Sequence, residues 1–362
     1  MGYSRYKYED LKKLCNVAFQ RFGFSKVDRE TITDVLLLSD LFGIESHGVQ
    51  RLVRYHKGIK SGMMKVHAEM EIVHETPVSA VIDAHQGMGQ VVGKRSMEMA
   101  IKKAKNLGMG MVVVRNSNHY GIAGYYARMA AQEGLLGMSM TNSEAIQVPT
   151  FGKAAMMGSN PIAIAMPAEP YPFLLDMSTT VVTRGKLEIY NKRAEALPLG
   201  WALDSKGADS SDAKDVLYNI QNKLGGGIVP LGGSSEEFGG HKGYGLGVSV
   251  ELFTAILSGG LTANYTHMNN VGGTCHWFFA VDYGIFGDKK VIEAGMSKYL
   301  QELRDSDKAE GQDRIYTHGE KEIEAYNDRL ANGILVNENT LEEIRNMCNY
   351  LDLSVNDYLK EI

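Results

Sequence analysis

The chain has 362 residues, 44% hydrophobic and 22% charged, with 40 glycines and a net charge of -5. That hydrophobic content fills a core, while a mild negative charge without any basic block argues against a nucleic-acid or membrane-surface partner. Cys15, Cys275 and Cys348 form no metal or disulfide spacing, no apolar run nears the ~20 residues of a bilayer span, and the start has no apolar leader, so a cytoplasmic, metal-free protein is expected.

The predicted elements begin with helices. Tyr8 to Arg21 carries Leu11, Leu14, Cys15, Ala18 and Phe19 at helical spacing and ends at Gly23. Ser25, with Asp28 three residues on, opens a second helix that stops near Gly43. A third is predicted from His47 to about Lys60, with Ser46 as N-cap. On it His47, Arg51 and Tyr55 recur every four residues and so share a face. Such a face at a helix N-terminus suits a carboxylate: the dipole attracts the anion and a guanidinium grips it with two hydrogen bonds. A merely solvated stripe would more often be built from Lys and Glu.

A strand from Val78 to Asp83 follows, then Gly87-Met-Gly-Gln-Val-Val-Gly93, a helix to Lys105 and a strand at Met111. This order imitates a dinucleotide-binding fingerprint, but Arg115 stands where its acidic residue belongs. Arginine there would favour a 2′-phosphate; tight helix–strand packing by the glycines is the preferred reading. The strand Met111 to Val114 gives way to the polar turn Asn116 to Gly124, and then to a helix from Tyr125 to Ala131 closed by Gly134. His119 therefore sits where a strand ends and a helix begins, the place where α/β proteins bind ligands. Its imidazole exchanges a proton near neutral pH.

Leu136 to Thr141, Ile162 to Met166 and Phe173 to Asp176 read as strands, with Gly158-Ser-Asn-Pro161 as a turn. Asp176, Met177 and Ser178 end the last of these. A strand-end aspartate followed by hydroxyls can hold a ribose, a phosphate or an imidazolium, or simply cap the next helix, which contains Arg184-Gly-Lys186. Lys206 to Asp215 is read as a surface loop. The glycine-dense run from Leu224 ends in His241-Lys-Gly-Tyr-Gly-Leu-Gly247, ahead of an apolar helix from Val248 to Leu257. Free N–H groups together with Lys242 make this a stronger anion-site candidate than the Gly87 motif. Phe278 to Asp282 is a further strand. From about Lys289 charged helices take over: Met296 to Arg304, then one opened by Thr317 with Glu320 and closed near Gly333, then Thr340 to Leu351 and Val355 to Lys360. Gly-x-Ser-x-Gly and His-Glu-x-x-His motifs are absent.

Five ordered stretches carry a family resemblance: Gly43-Ile-Glu-Ser-His-Gly-Val-Gln-Arg51, Asn116-Ser-Asn-His-Tyr-Gly121, Gly158-Ser-Asn-Pro161, Leu175-Asp-Met-Ser-Thr179 and His241-Lys-Gly-Tyr-Gly-Leu246. Together they resemble the malate/L-lactate dehydrogenase family that also contains ureidoglycolate, sulfolactate and Δ1-piperideine-2-carboxylate enzymes. The run from Thr180 to Trp201 is most similar to its malate dehydrogenase branch.

The resemblance implies an α/β fold, mixed α+β, whose NAD(P)-binding domain is a mixed sheet of non-Rossmann type. It implies a helical segment at 1–74, a cofactor-binding and catalytic domain at 75–288, and a C-terminal helical segment at 289–362 packed on the first. It implies hydride transfer between NAD or NADP and a 2-hydroxy/2-oxo acid, most readily malate and oxaloacetate, in a homodimer. Another acid on the same scaffold, or a catalytically silent nucleotide or small-acid binder, are the alternatives. Carried over by motif, His119 is the acid/base; Ser46, His47, Arg51 and Tyr55 face substrate; Ser143, Asp176, Met177, Ser178 and Lys242 contact cofactor. Asp176 or Glu144 is expected to support the imidazolium, and Arg184 and Lys186 to meet a second carboxylate or a 2′-phosphate.

Overall fold

The computed structural model describes residues 2–268 and 271–362. The first half of the chain runs β1 (Tyr3–Tyr6), α1 (Tyr8–Arg21), α2 (Lys26–Leu41), α3 (Leu52–Lys60), β2 (Glu71–Glu75), β3 (Ser79–Asp83), α4 (Gly89–Leu107), β4 (Met109–Ser117), α5 (Ala123–Gln132), β5 (Leu136–Thr141), β6 (Ile162–Met166) and β7 (Phe173–Met177). The second half runs α6 (Arg184–Arg193), β8 (Ala202–Leu203), α7 (Ala213–Asn222), β9 (Gly227–Ile228), α8 (Gly240–Glu251), β10 (Thr274–Val281), α9 (Lys289–Asp305), α10 (Glu320–Asn332), β11 (Ile334–Asn337) and α11 (Glu338–Tyr350).

Seven strands form the central sheet in the order β2-β3-β4-β10-β5-β6-β7. β3 and β4 pair in parallel across α4, and the other neighbours are antiparallel. The sheet is therefore mixed, as the resemblance implied. Both faces are covered, which is why the strands read as nearly continuous apolar runs. Val112, Val114 and Phe278 pack with Met97, Ala100, Tyr126 and Ala127 of α4 and α5. Val113, Met140 and Trp277 point the other way, toward Val250 of α8.

The two chain ends share a second core. β1 pairs antiparallel with β11, Tyr3 opposite Asn337. Leu11, Leu14, Phe19, Ile32 and Leu36 pack with Ile334, Leu341, Ile344 and Met347. Ser25 caps α2 as predicted, accepting from Asp28 N and donating to Asp28 Oδ2. Among the described residues no helix is long and apolar enough to cross a membrane.

Several elements differ from expectation. The predicted helix from His47 is broken into two 3-10 turns, Glu45–His47 and Val49–Arg51, before α3 starts at Leu52. The break is at Gly48, whose ψ of -148° is extended. An added Cβ there would overlap the buried Asp40 carboxylate, which instead accepts from Val49 N at 2.8 Å. Ser46 is accordingly not an N-cap. α8 begins at Gly240 rather than Val248 and runs on as a π-helical turn, Leu252–Ile256. α7 already begins at Ala213, within the predicted surface loop, and α9 starts seven residues earlier than Met296. Thr317 donates to Glu320 Oε1 instead of capping α10, whose N-cap is Gly319.

Candidate active site

His119 is placed by the end of β4. Pairing with β10 slips between Val114 and Ser117, a bulge that opposes Arg115 and Asn116 to one partner residue. Asn116 takes a left-handed φ of 54°, a conformation asparagine tolerates, and donates to Asp83 Oδ2 at 2.8 Å. Arg115 Nε is paired with the same carboxylate at 2.9 Å, so it is engaged within the sheet. Asn118 Nδ2 then donates to the carbonyls of Gln86 and Gly87. Gly89 and Gly93 complete the support. A Cβ on Gly89 would overlap the carbonyls of Asn118 and His119, and one on Gly93 would meet the Tyr126 ring at 2.7 Å. The Gly87 to Gly93 run is thus a packing element that lets α4 approach the His119 turn.

The ring of His119 is half-buried. Its Nδ1 is 2.8 Å from Tyr55 Oη, and its face stacks on His47 at 5.3 Å. His47 Nδ1 in turn meets Ser46 Oγ at 2.9 Å. Arg51 Nε donates to the Ser46 carbonyl. Ser46, His47, Arg51, Tyr55 and His119 are therefore brought together, although 3-10 turns rather than one helix do it. Arg329 of α10 braces this loop from outside by donating to Asp40 O at 2.7 Å and Glu45 Oε1 at 3.1 Å. Burial together with Arg51 and Arg54 pushes the His47 pKa down to about 3. Burial, then Arg54, His47, Arg51 and His267, hold His119 well below the ordinary imidazole value. Burial raises the Tyr55 hydroxyl to about 12, so it stays protonated.

Arg54 and His267 join this cluster and were not singled out from sequence. Arg54 lies three residues after Arg51, off the four-residue series but on the same face; reading the i, i+3 neighbours would have found it. His267 carried no local signal, because a late loop brings it in.

Neither expected carboxylate touches His119. Asp176 Oδ2 accepts from Gly124 N, in the first turn of α5, at 2.7 Å, and burial raises its pKa to about 6. Glu144 is bound by Arg184 at 3.2 Å, and Arg184 is also paired with Glu188. Gly185 stands against Ser46, within 3.4 Å once a Cβ is added, so the start of α6 borders the cluster. Lys186 is exposed.

The remaining candidates line a rim beside Glu144. Ser143 Oγ accepts from Ser159 N at 3.1 Å. The chain continues through Thr179 N to Ser159 O and Leu231 N to Thr179 O, and Gly243 packs on the backbone of Leu231. Met177 and Ser178 are half-buried at the end of β7, and Ser178 Oγ donates to Thr180 O at 3.1 Å. α8 starts at the left-handed Gly239 with Lys242 exposed in its first turn. This region offers the hydroxyls of Ser143 and Ser178 and the exposed Lys242; the first N–H groups of α8, read from sequence as free, are already bound, Gly240 N to Ser235 O and Lys242 N to Gly239 O.

Known proteins resemble this chain over nearly its whole length. The family model described as malate/L-lactate dehydrogenase matches residues 6–345. The chain is 43% identical over 345 residues to a malate dehydrogenase of Pyrococcus abyssi (95% of this chain, 94% of that one). It is 36% identical over 358 residues to the L-sulfolactate dehydrogenase of Methanocaldococcus jannaschii (98% and 99%). The crystal structure of malate dehydrogenase from Entamoeba histolytica superposes with a TM-score of 0.94 at 34% identity, covering 98% and 99% of the two chains. A family model matching nearly the whole chain, and relatives 43% and 36% identical over as much of it, show that this chain belongs to the malate/L-lactate dehydrogenase family.

Proposed function

We propose that the protein is an NAD(P)-dependent malate dehydrogenase. The observation that carries this is His119, held at Nδ1 by Tyr55 and ringed by Arg51, Arg54 and His47. The names of the relatives above support malate or a similar acid. When bound, the nicotinamide supplies or accepts the hydride at C2. Ser143, Asp176, Met177, Ser178 and Lys242 would hold the nucleotide, the hydroxyls toward its ribose and Lys242 toward its phosphates.

The chain's own residues move the proton. Tyr55 binds Nδ1, which leaves Nε2 for substrate. In both working forms of the ring Nδ1 carries a proton and donates it to the Tyr55 oxygen, so the ring keeps its orientation while Nε2 gains or loses its own. Nε2 accepts the hydroxyl proton of malate in oxidation and returns it to the developing alkoxide in reduction. Arg51, with Ser46 and His47, fixes the C1 carboxylate beside it, which orients and polarises the carbonyl. Carboxylates arriving at Arg51 offset the cations that depress His119 and so raise its proton affinity on binding.

The protein is further proposed to act as a homodimer in the cytoplasm. Val248, Leu252 and Ile256 expose an apolar stripe along α8 and its π-helical turn, a face suited to a second copy. Light scattering should give twice the 39.8 kDa chain mass.

The deciding experiment is a nicotinamide absorbance assay with NADH and NADPH against a panel of 2-oxo acids and cyclic imines. Oxaloacetate should be reduced fastest. A faster imine would replace the malate reading by the other scaffold activity. Binding of nucleotide without any turnover would leave a silent binder.

A further inference from the structure

The charges around His119 do not balance. Arg184 is flanked by Glu144 and Glu188, and Lys186 is exposed at the edge. Arg51 and Arg54 have no carboxylate within 4 Å among the described residues. Arg51 at least donates Nε to the Ser46 carbonyl; Arg54 has no hydrogen-bond partner among the described residues. It is half-buried all the same. Its charge is felt at His47, His119 and His267, and the carboxylate that acts on it, Glu144, is paired with Arg184 instead.

We propose that Arg54 is the specificity-determining residue of this site and holds a second anionic group of the substrate, opposite the C1 carboxylate on Arg51. The inference rests on the 2-hydroxy-acid reading above. Residues three apart on a helical turn place their Cβ atoms about 5–6 Å from one another, so one short diacid spans both guanidinium groups. Partly buried like charges are unfavourable until countercharge arrives. A dianion neutralises both arginines, whereas a monoanion leaves one uncompensated beside three imidazoles. Preference for a carboxylate or sulfonate at the far end of the substrate follows from that imbalance. Of the two cations that the sequence put forward for a second carboxylate, Arg184 is already neutralised and Lys186 is exposed.

The test is the ratio of kcat/KM for oxaloacetate to that for pyruvate, in the wild type, Arg54→Gln and Arg54→Lys, with 3-sulfopyruvate separating sulfonate from carboxylate. The ratio should fall about 10- to 100-fold in Arg54→Gln, as for a lost charged hydrogen bond. Lysine should restore part of it, since it keeps the charge but not the fork. A parallel loss for both acids, or an unmoved ratio, overturns the proposal. If Arg54→Gln fails to fold by circular dichroism, an unmoved ratio in Arg54→Lys still overturns it. Calorimetric titration with malonate and acetate reads the same preference without turnover, and an equal malonate-over-acetate preference in wild type and variant overturns it. Absence of turnover with every 2-oxo acid would instead sink the functional reading, and the malonate titration would then decide on Arg54.

Discussion

Two glycine-rich stretches open helices in this chain, the first packed at every glycine and the second left open at one. Gly87 to Gly93 has nearly the spacing of a phosphate loop, yet each of its glycines is pressed against protein: Gly87 on Ala84 O, Gly89 on the carbonyls of Asn118 and His119, Gly93 on Tyr126. In the later stretch Gly240, Gly243 and Gly247 are also pressed, on Gly233 O, Leu231 O and the Gln147 side chain, but Gly245 has nothing within 4 Å of a would-be Cβ, and His241 and Lys242 are exposed. Spacing alone does not separate a glycine that faces open space from one that admits another part of the chain. What meets the missing Cβ does.

Substitutions in and around the two stretches put this contrast at risk. The largest effect belongs to the residue that the first stretch supports. His119→Gln should lower kcat by about 10²–10⁴-fold, the usual worth of a positioned acid/base, while NADH still binds in a fluorescence titration. Because burial and neighbouring cations depress the pKa of this imidazole, it is neutral, and hence a base, down into acid solution. The acid limb of the wild-type kcat/KM profile for malate oxidation should therefore lie below pH 6.5, and a limb above that value would contradict the assignment.

Next in size, Gly89→Ala should lower stability by about 1–3 kcal/mol through overpacking, read as a drop in Tm, and disturb turnover through the displaced His119 turn. Gly245→Ala should be neutral or stabilising by up to about 1 kcal/mol, as alanine replaces glycine inside an open helix. Equal effects at the two positions would erase the distinction. The smallest change is expected from Lys242→Ala: a rise of about 3- to 10-fold in the Kd for the nucleotide, with kcat at saturation unmoved. An unchanged Kd would remove Lys242 from the rim.

The sequence made the local parts of this molecule legible. α1 and α2 announced themselves by apolar spacing and the Ser25 cap, and β4 with its polar turn marked His119 before any fold was known. The residues around it were less readable. Gly48 broke the predicted helix because Asp40, eight residues earlier, needs the space and the Val49 N–H. Tyr55 reads from sequence as a substrate contact, whereas its hydroxyl meets His119 across 64 positions. The pairing of β1 with β11 joins residues more than three hundred positions apart, and four-residue strands carry too little periodicity to be found without their partner. Local pattern reports on elements; it is silent about which distant backbone or charge will arrive beside them.

The position of β10 bears on how the protein is made. That strand lies between β4 and β5 but is synthesised long after both. Until residues 274–281 leave the ribosome, β4 and β5 each carry an open edge, prone to pairing with the wrong strand. The nascent chain can close α4 against β3 and β4 early, by local contacts, but the join at the middle of the sheet must wait for a distant segment, and non-local pairing of this kind is slow. The bulge that turns the chain toward His119 is itself a feature of the β4–β10 pairing. A chain cut short before that strand would lack the frame for proton transfer, so chemical competence arrives only with near-complete synthesis.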